Sequence, residues 1–308
     1  MTDKKKSSKK HYFIDGYVSP WGTLGLLAYP LALKDTGAEF TTFYVKKDAN
    51  WAYEKYEMDS SSLVGFIGPT GQPAWMILGK RGEIVTQARK DRLTQIIPEA
   101  GTGPNRYGYL NKIAAIDGGL YICGYSRQVY MLNGDKWVHI DQGILLPPNT
   151  LGPSLQSIDG SDRTDIYSVG LDGEMWHYDG KIWDRVDLPT NLHLFEVHCV
   201  NSQQVYACGA RGTVIRGSGT KWDILLNETF VEDIWGVASF RGEVYVSGFG
   251  GIAKVVGDRI ELVDTGLKKK FPSYRLRASE EALWSIGNDH MLRFDGNKWA
   301  EVVCPDNK

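Results

Sequence analysis

What the 308-residue sequence lacks narrows it first. Charge of one sign is missing: 35 Lys and Arg face 37 Asp and Glu, a formal net of −2. That balance excludes a whole-surface basic field for nucleic acid and an acidic disordered chain. Proline is scarce at 12 residues, so the 35 glycines do not belong to a low-complexity chain. Only four cysteines occur, Cys123, Cys199, Cys208 and Cys304, and none forms a CxxC pair. A disulfide scaffold is excluded and a zinc knuckle is disfavoured. Cys123 and Cys208 each precede a glycine in the strand-like stretches YICG and YACG, and read as small buried apolar residues. Long apolar runs are missing too; the best candidate, residues 24–33, is short and contains Pro30. The N-terminal MTDKKKSSKK has charge but no apolar stretch behind it, so it does not read as a secretory signal. Its lysines, Lys4, Lys5, Lys6, Lys9 and Lys10, read as a disordered solubilising tail over residues 1–10. The expected location is the cytoplasm, without membrane contact.

What is present is aromatic: 10 Trp, 16 Tyr and 10 Phe. With abundant glycine and ordinary charge, this points to short β-strands joined by tight turns. The aromatics also recur. Residues 119–141, 165–188, 204–226, 243–264 and 282–303 each run aromatic, two residues, glycine, short turn, alternating stretch, Gly or Asp turn, and a second alternating stretch. An earlier copy spans 74–97. The glycine closing the aromatic stretch falls at Gly79, Gly124, Gly170, Gly209, Gly248 and Gly287, spacings of 45, 46, 39, 39 and 39. A second column, Arg92, Trp137, Trp183, Trp222, Ile260 and Trp299, keeps nearly the same period. A weaker seventh copy has Trp51 in that column and a divergent first half.

Each unit of roughly 40 residues holds four strand signals, called A to D below. In the fifth they fall at 195–201, 204–209, 213–218 and 221–226. A four-stranded sheet of this size cannot hide both faces alone; radial stacking of repeats covers them. The reading is a single all-β domain over 11–305, a seven-bladed β-propeller of four-stranded antiparallel blades. Blades are expected near 11–60, 61–99, 110–142, 154–189, 194–227, 233–265 and 273–304. The last repeat has its own four strands and residues 11–58 can build a first blade, so no exchanged strand is expected. Six blades plus a divergent N-terminal segment is the alternative. Tyr121, Tyr167, Tyr206, Tyr245 and Trp284 on strand B, with the strand D tryptophans, are expected to pack between blades.

The phrases IYSVGLDGEMWHYDGKIW and LWSIGNDHMLRFDGNKW resemble the repeats of bacterial propeller proteins of the YVTN, BNR and WD-repeat-like type. The resemblance covers residues 63–303 well and 11–62 poorly, and it implies a fold rather than an activity. The Asp-box of sialidase-like members is missing, as is a WD dipeptide with its GH partner.

Catalytic motifs are absent: no GxSxG, HExxH, Walker A or strand-following GxGxxG. His139 and His177 sit at alternating strand positions and read as structural; His193 and His198 flank an A strand as a poor metal pair. Asp159 begins an acidic stretch read as an A–B loop. No converging carboxylates or histidines are legible at the starts of A strands. No catalytic residue, metal or cofactor is therefore expected.

In this architecture the B–C turns and D–A connections gather on one face. Two D–A connections, at 101–111 and 144–154, exceed what a blade needs, and extra loop length is where function tends to sit. That face carries Arg81, Arg106, Arg127, Arg211 and Arg275 among Tyr107, Tyr109, Trp235, Phe249 and Tyr274. Arginine and aromatics are enriched at interface hot spots. The same mixture could stack nucleic acid, but intervening acids and the balanced charge disfavour it. The expectation is a non-catalytic protein-binding propeller, monomeric by itself. By exclusion, the best specific reading is an immunity protein that plugs the active cleft of a co-encoded toxin with this face. An assembly scaffold is one alternative; a propeller enzyme or glycan- or small-molecule-binding protein using the central channel is another.

Overall fold

The computed structural model describes residues 11–33, 36–68, 70–89, 91–150, 152–228 and 230–307; the lysine-rich tail lies outside them. Seven four-stranded antiparallel sheets follow one another in chain order, each built from four consecutive strands. The protein is a seven-bladed β-propeller with four whole strands in every blade, the first and last included. The six-blade alternative is excluded. Four short 3₁₀ turns are the only helical elements among the described residues.

The innermost A strands are His11–Val18, Ser60–Ile67, Leu110–Ile116, Leu155–Asp162, Leu194–Asn201, Ile234–Phe240 and Arg275–Ala278. The B strands beside them are apolar on both faces: QVYACG, Gln204–Gly209, is buried from its second residue onward. The outermost D strands bury little beyond one aromatic or aliphatic side, as in Lys221–Ile224, where only Trp222 is covered. Burial therefore falls off radially, and the apolar cores lie between blades. One such core joins Tyr206, Cys208 and Val214 of blade 5 to Val237, Val244 and Val246 of blade 6. The expected strand B aromatics Tyr121, Tyr167, Tyr206, Tyr245 and Trp284 are all buried. Some also tie blades by polar contacts: Gly219 N donates to Tyr167 Oη at 3.1 Å, and Trp183 Nε1 donates to Ile140 O at 2.7 Å. Cys123 and Cys208 are buried and unpaired, and burial pushes the Cys123 thiol up to about 12.

The repeated glycine of strand B has a cause other than turning. Gly170 and Gly209 are extended, at φ −158° and −171°. A Cβ at these positions would meet the carbonyl oxygen of Ser154 at 2.3 Å and of His193 at 1.9 Å. The backbone entering strand A closes directly onto this glycine, and any side chain would hold the innermost strand off its neighbour.

Ring closure is made by side chains rather than by a shared strand. The Asn307 amide pairs with the edge of the first strand as a strand would: His11 N donates to Oδ1 at 2.6 Å and Nδ2 donates to His11 O at 3.0 Å. Nδ2 also donates to Asp289 O at 2.9 Å, and Phe13 N donates to Asn288 O at 2.7 Å. Beneath this clasp, Phe13, Leu26 and Tyr44 of blade 1 pack on Trp284, Ile286 and Met291 of blade 7. Asn307→Ala removes three hydrogen bonds at the seam and should cost about 1–3 kcal/mol in urea unfolding. Asn307→Asp keeps the acceptor and should cost less. An unchanged midpoint for Asn307→Ala would show that the clasp does not hold the ring.

Candidate partner-binding face and channel

The site is built from one backbone irregularity repeated around the axis. In blades 1 to 6 the A–B register slips by one residue just inside strand A, between Phe13 and Asp15, Ser60 and Ser62, Leu110 and Lys112, Leu155 and Ser157, Leu194 and Glu196, and Ile234 and Gly236. Such a bulge leaves one residue unpaired and re-aims it. The extruded residues are Ile14, Ser61, Asn111, Gln156, Phe195 and Trp235, all half-buried. Tyr274 holds the same place in blade 7, where its N–H donates to Ile286 O at 3.0 Å beside the Arg275–Ile286 pair. These residues rim the channel where the B–C turns and D–A connections emerge. The rim is polar over blades 2 to 4 and aromatic over blades 5 to 7, where Phe195 and Trp235 stack at 4.0 Å.

The next residue of each strand turns toward the axis. This column reads Asp15, Ser62, Lys112, Ser157, Glu196, Gly236 and Arg275. Together with Arg277 it closes the channel with charge. Arg277 bridges two carboxylates, Nη2 to Asp15 Oδ1 at 2.8 Å and Nη1 to Glu196 Oε1 at 3.1 Å. Lys112 Nζ lies 3.5 Å from Glu196 and 3.8 Å from Asp15. Ser62 Oγ donates to Asp15 Oδ2 at 2.9 Å and Arg277 Nε to Gly16 O at 2.8 Å. Burial raises the Asp15 pKa, but Lys112, Arg277 and Arg275 outweigh it and hold the carboxyl at about 2. Glu196 is likewise lowered: burial opposes, and Arg277 and Lys112 prevail. These converging carboxylates were not legible in the sequence, and each is paired with a cation.

On the far side of this plug lies a cavity of about 290 Å³. Asp159 and His198, placed by sequence in an A–B loop and at a strand flank, are instead within A strands and line it. Asp159 Oδ2 lies 3.1 Å from His198 Nδ1 and accepts from Cys199 N at 2.9 Å. His198 Nε2 lies 2.8 Å from Ser239 Oγ. The order Asp–His–Ser is that of a nucleophile triad, yet the Ser239 N–H also donates to Nε2, at 3.1 Å. The imidazole thus satisfies a neighbouring strand edge, and the chain laces blades 4, 5 and 6 together. His139 and His177 are similarly engaged, with Asp141 at 2.9 Å and Asp165 at 2.8 Å. Among the described residues no group of three His, Cys, Asp or Glu is placed to hold a metal.

The ten residues singled out by sequence all fall on B–C turns, D–A connections or starts of A strands, hence toward one face. Their surroundings differ. Arg127 is locked bidentately to Glu174, Nε to Oε2 at 3.0 Å and Nη2 to Oε1 at 2.5 Å, and lies over the Trp176 ring. Arg106 folds onto the carbonyls of Pro98 and Ala100, and Arg81 pairs with Glu39. These three arginines order loops. Tyr107 packs edge-on to His139 and Tyr109 to Tyr125. Arg211 is exposed in a left-handed turn position at φ 53°. Phe249 is 59% exposed, and beyond it the blade 5–6 connection presents Val231 at 84%. Trp235, Tyr274 and Arg275 line a cavity of about 390 Å³ over the channel mouth with Tyr12, Tyr29 and Lys80. Tyr12 and Tyr29 were missed because blade 1 departs from the repeat. A third long connection, 263–274, was missed because the 39-residue glycine period hides it.

The geometry defines a β-propeller whose channel is sealed and whose turn-rich face carries half-exposed aromatics. Solved propellers superpose on it: the WD40 domain of Doa1, at TM-score 0.64 and 10% identity, over 94% of this chain and 92% of that one, and YCF48 bound to D1 peptide, at 0.65 and 11%, over 97% and 93%. No family model matches the sequence. A curated relative does: the immune protein Tsi7 of Pseudomonas aeruginosa PAO1 is 34% identical over 229 residues, 74% of this chain and 75% of the relative. The chain belongs to the family of Tsi7. No helix among the described residues is long and apolar enough to cross a membrane.

The plug has a pH signature. The folded-state pKa of Asp15 is depressed from 3.8 to about 2. Its contribution, roughly 2 kcal/mol from that difference, is complete above pH 4 and is lost as pH falls from about 4 to about 2. Asp15→Asn should flatten this part of the stability–pH curve and, by leaving buried cations short of a partner, cost about 3–5 kcal/mol at pH 7. Urea unfolding from pH 2 to 7 measures both; identical curves for the variant and the parent would remove Asp15 from the plug.

Proposed function

We propose that this chain is a cytoplasmic immunity protein that neutralises a co-encoded toxin, without catalysis, by seating its turn-rich face over the toxin's active cleft. Membership in the family of Tsi7 carries the reading. The face supports it: Arg211 and Phe249 are presented to solvent, residue types enriched at interface centres, with the exposed Val231 near them. The plug is consistent with it: Asp15 and Glu196 are each held by a cation, and the His198 imidazole in the cavity beyond is engaged by Asp159 and Ser239. The arginines tied to Glu174, Glu39 and loop carbonyls give the face a fixed shape before binding, which lowers the entropic cost of docking.

The test is co-expression with the toxin gene of the same locus. The parent chain should restore growth and co-purify with the toxin at equal stoichiometry. Arg211→Glu/Phe249→Ser, both at exposed turn positions, should unfold like the parent yet bind roughly 100-fold more weakly. Arg127→Glu should instead lose stability, since it sets two carboxylates against each other in a half-buried site. Full-strength binding by the folded double variant would place the interface elsewhere.

A further inference from the structure

The plug is not electrically neutral. Two carboxylates, Asp15 and Glu196, meet three cations, Lys112, Arg277 and Arg275. Arg277 occupies the short contacts, whereas Arg275 Nε stands 4.0 Å from Asp15. Arg275 is fixed at one nitrogen only: Nη1 donates to Tyr274 O at 3.0 Å and to Trp235 O at 3.4 Å. Its Nη2 has no hydrogen-bond partner among the described residues, and the side chain is 30% exposed. It forms the floor of the 390 Å³ cavity at the mouth. The other charged pair on that cavity cancels internally, Lys80 Nζ lying 2.9 Å from Asp59 Oδ2. The walls are aromatic: Trp235 and Tyr274, with Tyr12 packed at a tilt against Tyr29, ring centroids 5.3 Å apart.

We propose that this cavity receives a carboxylate side chain of the toxin, carried on an exposed segment with an apolar or aromatic neighbour, and that Arg275 is its ion partner. The proposal rests on the immunity reading for the identity of the partner, and on the cavity alone for its chemistry. A surplus cation in a pocket walled by aromatics favours an anion over a neutral or cationic group, because desolvation on binding strengthens a charge-assisted pair that is hydrogen-bonded on arrival. Arginine suits the role, since its planar fork binds a carboxylate in a fixed orientation while its faces stack on rings. The aromatic walls bury the neighbouring residue and keep water off the pair.

Two measurements on the full-length protein test this. In the first, tryptophan is replaced by 5-fluorotryptophan and the Trp235 resonance is assigned with Trp235→Phe. Blocked pentapeptides Gly-Phe-Xaa-Phe-Gly are then titrated, with Xaa as Glu, Gln, Lys or phosphoserine. The Glu peptide should move the Trp235 resonance saturably, the Gln peptide should bind at least tenfold more weakly, and Arg275→Gln should erase the difference. Equal binding of Glu and Gln, preference for Lys, binding of phosphoserine alone, or a stationary Trp235 signal would each overturn the proposal. In the second, toxin affinity of Arg275→Gln is compared with the parent, with thermal unfolding checked in parallel. A tenfold or greater loss supports the mouth as the anchor. Parental affinity overturns it while leaving the immunity reading intact. If the parent itself binds no toxin, that reading fails, and the peptide series still decides the chemistry of the pocket. Should Arg275→Gln unfold, the Glu-to-Gln ratio on the parent protein decides alone.

Discussion

Four side chains meeting on the axis hold the ring together from within. Asp15, Lys112, Glu196 and Arg277 come from blades 1, 3, 5 and 7, and each reaches a partner that its own sheet does not supply. A propeller blade buries its faces only against its neighbours, so the whole assembly depends on all seven arriving at one centre. Burying four charges costs several kcal/mol of desolvation per ion before their attraction repays it. The network is therefore a poor source of net stability and a strong constraint on geometry: with blade 1, 3, 5 or 7 displaced, a buried charge loses a partner. The Asn307 clasp joins blade 7 to the start of the first A strand and completes the same task at the seam.

The bulge and the glycine column are two sides of one packing event. The chain descending into strand A closes onto the strand B glycine, within 1.9 Å of where a Cβ of Gly209 would stand. Immediately afterwards the register slips and one residue is thrown out toward the mouth. Glycine thus sets how close the innermost strand can come, and the bulge sets where its side chains go. The rim of Phe195, Trp235 and Tyr274 and the plug column of Glu196 and Arg275 follow from that single slip.

The repeat made the fold legible. Six glycines and a near-periodic column, hydrophobic at five of its six positions, recur because each blade solves the same burial problem, and the divergent first blade was placed by the match of residues 43–58 to the last two strands, with Trp51 in that column. The face was legible by the same topology. The plug was not, for a physical reason: its members sit in different repeats, Asp15 in the divergent one, and no local pattern ties a residue to one four blades away. The bulge worsened this by shifting the A strands one residue out of simple alternation, so Asp15 and Glu196 fell out of phase with their neighbours. Arg127, Arg106 and Arg81 read as free anchors because their partners Glu174, Pro98 O and Glu39 are fixed only by loop geometry. Among the described residues the Arg211 and Phe249 side chains carry no such partner, and they stayed where turn position alone would leave them.

The separation of rim from plug decides how such a face can change. Phe195, Trp235, Tyr274, Asn111, Gln156 and Ser61 belong to none of the seven inter-blade cores; of the extruded column only Ile14 packs against one. A substitution there alters the mouth without opening a cavity between blades, so its stability cost stays near that of an ordinary surface change, except at Asn111, whose Nδ2 donates to Ser154 Oγ at 2.9 Å and to Leu155 O at 2.7 Å at the entry to blade 4. One residue further along each strand the opposite holds, since Asp15, Lys112 and Glu196 are fixed by one another. Arg275 stands at the junction, in the plug column by register and in the mouth by exposure. Exchanging the rim aromatics would therefore change which neighbouring residue of a partner is accepted, while the demand for a negative charge, set by the plug, would persist until the plug itself was rebuilt.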